Sequence, residues 1–202
     1  MPETLRLDEK THEYWLGKRK FESVTHILQY LGLTNDYSNI SSFYAERGTA
    51  VHKAVEFVDK GTLDDNTLDP IIRPYVAAYR RFLRESGYVP MHWEVPLHHP
   101  ILGYAGTIDK VGRLNGRPGI LDIKTARSVD PAVELQLCAY AVLWDEHHPE
   151  SPAAWKYALQ LNDEGPEGKY SLVTKYSGTS ISAWLSTLDV YKWKIKNRRL
   201  AA

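Results

Sequence analysis

Two segments with strand-like alternation, doubling back through Asn115-Gly116, constrain this chain more than any other feature. Tyr104 to Leu114 and Gly119 to Thr125 each read with period two, and an Asn-Gly pair between such runs is a strong hairpin signal because both residues accept a positive φ. Pro118 argues for a connection longer than the tightest turn. The return brings Asp109 on the first strand to the neighbourhood of Asp122 on the second. Alternation puts Thr107, Asp109 and Val111 on one face, and Asp122 with Lys124 on one face, while Leu121 and Ile123 look into the opposite layer.

The rest of the chain builds around that pair. Leu5 to Leu7 and His12 to Leu16 read as a small antiparallel unit turning at Asp8-Glu9-Lys10, with a second turn at Gly17-Lys18. Ser23 precedes the helical spacing Val24, Ile27, Leu28, Leu31, which stops at Gly32; Asn35 to Asn39 is polar loop. Helices are expected from Gly48 to Lys60, with Val51, Val55 and Val58 inward, and from Pro70 to Glu85, with Ile72, Tyr75, Val76, Tyr79 and Phe82 inward. Gly61 and Gly87 end them. Trp93 to Leu97 is a further strand. Val133 to Trp144 is nearly all apolar and too long for a strand, which makes it a buried crossing helix. Trp155 to Leu161 and Tyr170 to Tyr176 form another strand pair around the loop Asp163 to Lys169. A last helix starts near Ser180 with Trp184, Leu188, Tyr191 and Ile195 on one side. The fold class is α/β: a mixed, mostly antiparallel sheet flanked by helices. Residues 1–202 are expected to form one domain, with a hairpin and helices in 1–90 and the core sheet, crossing helix and final helix in 91–202.

With 202 residues, 43% of them apolar and 25% charged, the chain can bury a real core. Its formal net charge is zero, so any attraction to nucleic acid must come from local clusters. Cys138 is the only cysteine, which excludes an internal disulfide and a four-cysteine cluster; on its apolar helix it reads as a small buried hydrophobe. The opening residues lack a secretory apolar stretch and no run reaches membrane-spanning length, so a reducing, cytoplasmic location without membrane association is expected.

Two carboxylates beside one amine suit metal-assisted phosphate chemistry. Hard divalent cations such as Mg²⁺ and Mn²⁺ prefer carboxylate oxygens, and a bound ion both polarises a phosphate and lowers the pKa of water. Lys124 can orient or deprotonate that water, or stabilise charge on the phosphate. An Asp-x-Lys strand face is also a common surface ion pair, and this reading stays open beside the catalytic one. His52, on a helix with Glu56 one turn later, can complete a metal shell that Glu56 orients, or can be structural. Gln136 and Tyr140 share one face of the crossing helix, where the amide needs a partner: Lys124, a phosphate or a backbone carbonyl.

Taken in order, Gly48 to His52, Gly106 to Asp109, Asp122-Ile123-Lys124 and Gln136 to Tyr140 resemble the Gly-x-x-x-His, Gly-x-x-Asp, Asp-x-Lys and Gln-x-x-x-Tyr motifs of the PD-(D/E)xK nuclease superfamily. The likeness is to the branch with RecB-type domains, Cas4, the mitochondrial genome maintenance exonuclease and small phage exonucleases. Phe21-Glu22-Ser23-Val24-Thr25 before a helix also looks like the opening of the mitochondrial and phage members. The resemblance implies that His52, Asp109, Asp122 and the Ile123 carbonyl hold Mg²⁺ or Mn²⁺. It makes Lys124 the catalytic lysine, with Gln136 and Tyr140 supporting it and the DNA backbone, and Glu94 a secondary acid. Cluster cysteines are absent, so no iron–sulfur cluster is implied.

The implied activity is DNA hydrolysis from single-stranded or exposed ends, alone or beside a separate recombination or replication protein. A phage-encoded enzyme acting in the host cytoplasm would fit. Candidate DNA contacts are Arg47 and Lys53, then the Arg73-to-Arg84 strip, Arg127 and the tail Lys192 to Arg199. Ser23 and Thr25 could bind phosphate at a helix start, and Tyr37, Phe43 and Tyr44 could stack bases. The competing functions are a silent DNA-binding protein, a selective endonuclease on the same fold, and a hydrolase of small phosphates.

Overall fold

The computed structural model describes residues 4–8, 11, 13–34, 41–173 and 180–198. Their order is β1 (Arg6–Asp8), β2 (Glu13–Leu16), β3 (Arg19–Ser23), α1 (Val24–Tyr30), α2 (Ser42–Lys60), α3 (Arg73–Ser86), β4 (Val89–His98), β5 (Tyr104–Leu114), β6 (Arg117–Lys124), α4 (Val133–His147), β7 (Trp155–Asn162), β8 (Lys169–Val173) and α5 (Ile181–Asn197). The Asn35-to-Asn39 loop, Tyr37, residues 174–176 and Arg199 lie outside the described residues, as do residues 9 and 10 of the first turn.

The strands form one mixed sheet in the order β1-β2-β3-β5-β6-β7-β8, with β4 also paired to β5. β3–β5 and β6–β7 are parallel and the other neighbours antiparallel. The β6–β7 junction is parallel because α4 carries the chain back across the sheet. One core lies under α1, α4 and α5, the other under α2 and α3, giving three layers. The expected mixed α/β architecture is the one the chain adopts.

Several boundaries differ from the expected ones. β3 was not expected as a strand, since only Phe21 of its residues is buried and the alternation is too short to register. α2 begins at Ser42, because Ser41 caps it by accepting from Phe43 N; residues 42–46 are exposed and carry no inward stripe to announce a helix. The Asn115-Gly116 turn is the tightest one: Leu114 pairs with Arg117, and the two turn residues sit at φ 52° and 75°. Pro118 fits because it stands opposite Arg113, one step beyond the bonded pair, where β5 asks for no amide. On α5, Trp184, Leu188 and Tyr191 are buried, but Ile195 is exposed; the inward stripe stops at Tyr191.

Two irregularities in the sheet shape the site. β5 and β6 pair only as far as Lys110 and Leu121, after which Asp122 to Lys124 pair with β7 alone. The strands therefore fork at Asp109 and Asp122. Across β5 on its other edge, the side-chain alternation slips. Gly106 and Ile108 look toward α4, yet Lys110, of the same parity, reaches Asp59 of α2. On β4 the same slip separates Trp93, bonded to Asp59, from Val95 in the α4-side core. Between these flanks stand Glu94 and Asp109, with Trp93 paired to Lys110 and Val95 to Ile108. Glu94 takes φ 47°, a left-handed backbone conformation that side chains other than glycine rarely adopt. The expectation that Thr107, Asp109 and Val111 share a face fails for this reason.

Candidate active site

The fork gathers side chains from both helical layers. Asp109 Oδ2 accepts the Ile123 amide at 2.8 Å, replacing a ladder bond that the diverging strands no longer make. The Ile123 carbonyl accepts from His52 Nε2 at 3.1 Å; since a carbonyl only accepts, Nε2 carries the hydrogen. The other ring nitrogen, Nδ1, lies 3.6 Å from Asp109 Oδ2 and 3.8 Å from Glu94 Oε1. One ligand atom from each of His52, Glu94 and Asp109 falls within 4.8 Å of the others. Burial alone would favour neutral His52, but Asp109 and Glu94 outweigh it and raise its pKa to about 9. Two acids facing each other across adjacent strands repel unless a cation lies between them.

Asp122 is fully buried, and burial pushes its carboxyl up to about 6, with Lys124 opposing and Asp109 adding to the rise. Lys124 Nζ pairs with the buried Asp122 Oδ2 at 2.7 Å. The same ammonium donates to Gln136 Oε1 at 3.1 Å, and Gln136 Nε2 donates to the Tyr140 hydroxyl at 2.9 Å. Burial holds Tyr140 well above the usual phenol range, and the charges of Asp122 and Asp109 add to this. Gly106 is required where it is, because a Cβ there would sit 2.7 Å from Tyr140 Cε1. Its space admits the Tyr140 ring.

These residues fit a hard divalent cation: two facing carboxylates with an imidazole beside them, and the buried Asp122 carboxylate beyond. The three-residue set, however, is His52, Glu94 and Asp109, with Asp122 set back against Lys124. Glu94 moves from a secondary place to the centre of the cluster. Glu56 does not orient His52; it accepts from Lys53 at 2.9 Å and from Lys60, which lower its pKa, Lys60 foremost.

The expected DNA contacts are dispersed. The Ser23 hydroxyl caps α1 by accepting from His26 N at 3.0 Å, and Thr25 is exposed beside it. Arg47 donates to the Thr125 carbonyl at 3.0 Å and lies 5.1 Å from the ring centres of both Tyr44 and Tyr75. Lys53 pairs with Glu56. Arg73, Arg80 and Arg81 bond Leu68, Asp65 and Gly168, anchoring the chain around α3. Lys192, Lys194 and Lys196 are exposed on α5, and Arg198 is exposed just after it.

Two cavities are lined by several of the expected contact residues and by none of His52, Glu94, Asp109, Asp122 and Lys124. One, of about 630 Å³, includes Tyr14, Lys20, Ser23, Thr25 and His26; the Tyr14 hydroxyl bonds Thr107 of β5 at 2.8 Å. The other, of about 870 Å³, includes Phe43, Tyr44, Arg47, Thr125 and Arg127, and begins one residue after Lys124. Gln160 holds its rim by donating to the carbonyls of Ala126 and Arg127, both at 2.8 Å. Sequence reasoning missed Gln160 and Tyr14; no local pattern marks either. Among the described residues no helix is long and apolar enough to cross a membrane.

No protein-family model matches the chain, and no curated protein matches it. Among solved structures, the crystal structure of a "Putative exonuclease" from Eubacterium rectale is similar over 85% of this chain and 72% of that chain, at 15% identity and a TM-score of 0.51. The structure of SSO0001 covers 83% of this chain and 81% of its own at 12% identity, but its TM-score of 0.33 carries no argument. The chain thus has the mixed α/β fold of the Eubacterium rectale structure, a likeness of architecture.

Proposed function

We propose that this protein is a divalent-metal-dependent deoxyribonuclease of the PD-(D/E)xK type, hydrolysing phosphodiester bonds from single-stranded or exposed DNA ends. Residues 1–202 act as one nuclease domain in this reading, and the approach of His52 from the first half to Ile123 in the second favours it. The observation that carries the proposal is the His52, Glu94 and Asp109 cluster standing beside the Asp122–Lys124 pair at the strand fork. A surface Asp-x-Lys pair would have neither a buried aspartate nor a lysine aimed by a glutamine from another layer.

His52, Glu94, Asp109 and Asp122 would hold Mg²⁺ or Mn²⁺, with the Ile123 carbonyl available on its second lone pair. When bound, the ion supplies a Lewis acid for the phosphate and an acidified water. Lys124 then holds the attacking water or the charge that grows on the phosphate, and Asp122 with Gln136 fixes where its ammonium points. Tyr140, locked protonated, keeps Gln136 in the orientation that presents Oε1 to Lys124. Gly106 lets α4 approach the strands. The Phe43–Tyr44–Arg47–Arg127 cavity offers stacking faces and cations to a strand leaving the site, and Lys53, Ser23 and Thr25 extend the contact surface.

End-labelled single-stranded and duplex DNA, and closed circles, incubated with Mg²⁺, Mn²⁺ or EDTA test the reading. Cleavage should need the metal, spare circles and vanish in Lys124→Ala while the fold persists. Activity undiminished in EDTA sinks it; degraded circles would assign internal cutting instead.

A further inference from the structure

We infer that Asp59 is a positioning residue for the two facing acids, acting through a buried clamp behind Glu94 and Asp109; this rests on the metal-centre reading above. Asp59 lies seven residues after His52 on α2, so both side chains look toward the sheet. Its carboxylate has no exposure and takes three donors: the Tyr79 hydroxyl at 2.8 Å, Trp93 Nε1 at 2.7 Å and the Lys110 ammonium. Trp93 is the residue before Glu94, and Lys110 the residue after Asp109. One carboxylate therefore grips both strands at the step next to each acid.

The grip explains the slipped alternation. On the far side of the pair, Val95 and Ile108 are packed in the α4-side core. On the near side, Asp59 pulls Trp93 and Lys110 to the α2 layer. Held in opposite directions on their two flanks, Glu94 and Asp109 cannot settle into a regular pleat, and Glu94 is kept in its left-handed conformation facing His52. Releasing Asp59 lets the pair relax, and the distances between Glu94, Asp109 and His52 open. A purely structural ion pair would need only Lys110; the Trp93 bond, on the other strand, is what couples Glu94 to the same anchor.

The test uses the full chain stripped with EDTA and titrated with Mn²⁺ by calorimetry, followed by cleavage against Mn²⁺ concentration. Trp93→Phe deletes one donor, keeps an aromatic ring at the position and should weaken Mn²⁺ binding about tenfold; Asp59→Asn should weaken it up to about a hundredfold. In both, saturating Mn²⁺ should restore cleavage, because the Lys124–Gln136–Tyr140 arm is untouched, and melting of the stripped Trp93→Phe chain should stay near wild type. If Asp59→Asn fails to fold, Trp93→Phe decides alone. Wild-type Mn²⁺ affinity in folded Trp93→Phe overturns the clamp, and if Glu94→Gln loses affinity in the same experiment the metal centre stands without it. A wild-type chain that binds no Mn²⁺ overturns both.

Discussion

Glu94 combines a backbone conformation that costs about 1–3 kcal/mol outside glycine with a carboxylate pressed toward another. Strain kept in the middle of a strand calls for a compensating interaction, and the proposed cation between Glu94, Asp109 and His52 would supply one. Glu94→Gly should accordingly stabilise the EDTA-stripped protein by about 1 kcal/mol while abolishing the rise in melting temperature that Mn²⁺ gives the wild type. Paired thermal melts with and without the ion check both halves. His52 adds a pH dependence. Its pKa rises from 6.5 to about 9 on folding, mainly because Asp109 and Glu94 outweigh burial, so in the stripped protein its contribution to stability is complete below pH 6.5 and lost on the climb to about 9. Metal ligation needs the neutral ring. Between pH 6.5 and 9, uptake of each ion should therefore release close to one proton, with apparent affinity rising about tenfold per pH unit. Calorimetry in two buffers of different ionisation enthalpy counts that proton; a count of zero removes His52 from the ligands.

At the level of elements, two glycines occupy equivalent motif positions and have different physical reasons to be there. A Cβ at Gly106 collides with the Tyr140 ring and presses Val24, so Gly106→Ala must displace α4 or α1 from β5. It should cost about 1–3 kcal/mol in denaturant unfolding and lower the turnover by disturbing Gln136 and Lys124. Gly48, inside α2, would place its Cβ 3.5 Å from Thr125 Oγ1, an ordinary contact. Gly48→Ala should therefore be tolerated, and raise stability by about 0.5–1 kcal/mol, since alanine removes the entropic penalty of a helical glycine. The helix that carries His52 is anchored farther along by Asp59, so α2 is tied to β6 through His52 and to β4 and β5 through Asp59.

The whole molecule has no net charge, so its field offers DNA no general attraction, and the proposed DNA binding would depend on local cations. Of these, Arg127 is exposed on the rim of the larger cavity, held by Gln160 through the backbone on which it sits. Oligonucleotide affinity measured by anisotropy should fall with salt with a shallow slope, and Arg127→Ala should reduce that slope by about 1 without changing Mn²⁺ affinity. An unchanged slope would place the strand elsewhere.

What the sequence by itself determined is whatever rests on periodicity and local turn chemistry: the hairpin of β5 and β6, the helices ending at Gly61 and Gly87, the buried α4, and the presence of Asp109, Asp122 and Lys124 on neighbouring strands. That Gln136 needs a partner was also legible, since an amide in an apolar helix must find one, but the structure chose Lys124 over a phosphate or a backbone carbonyl. Only the tertiary structure decided where β5 and β6 part, that Asp109 would take the Ile123 amide, and that Glu94 and Asp109 would meet at a slipped alternation. Those features come from forces applied between layers. Asp59 pulls on one flank and the α4-side core on the other, and no window of consecutive residues contains both.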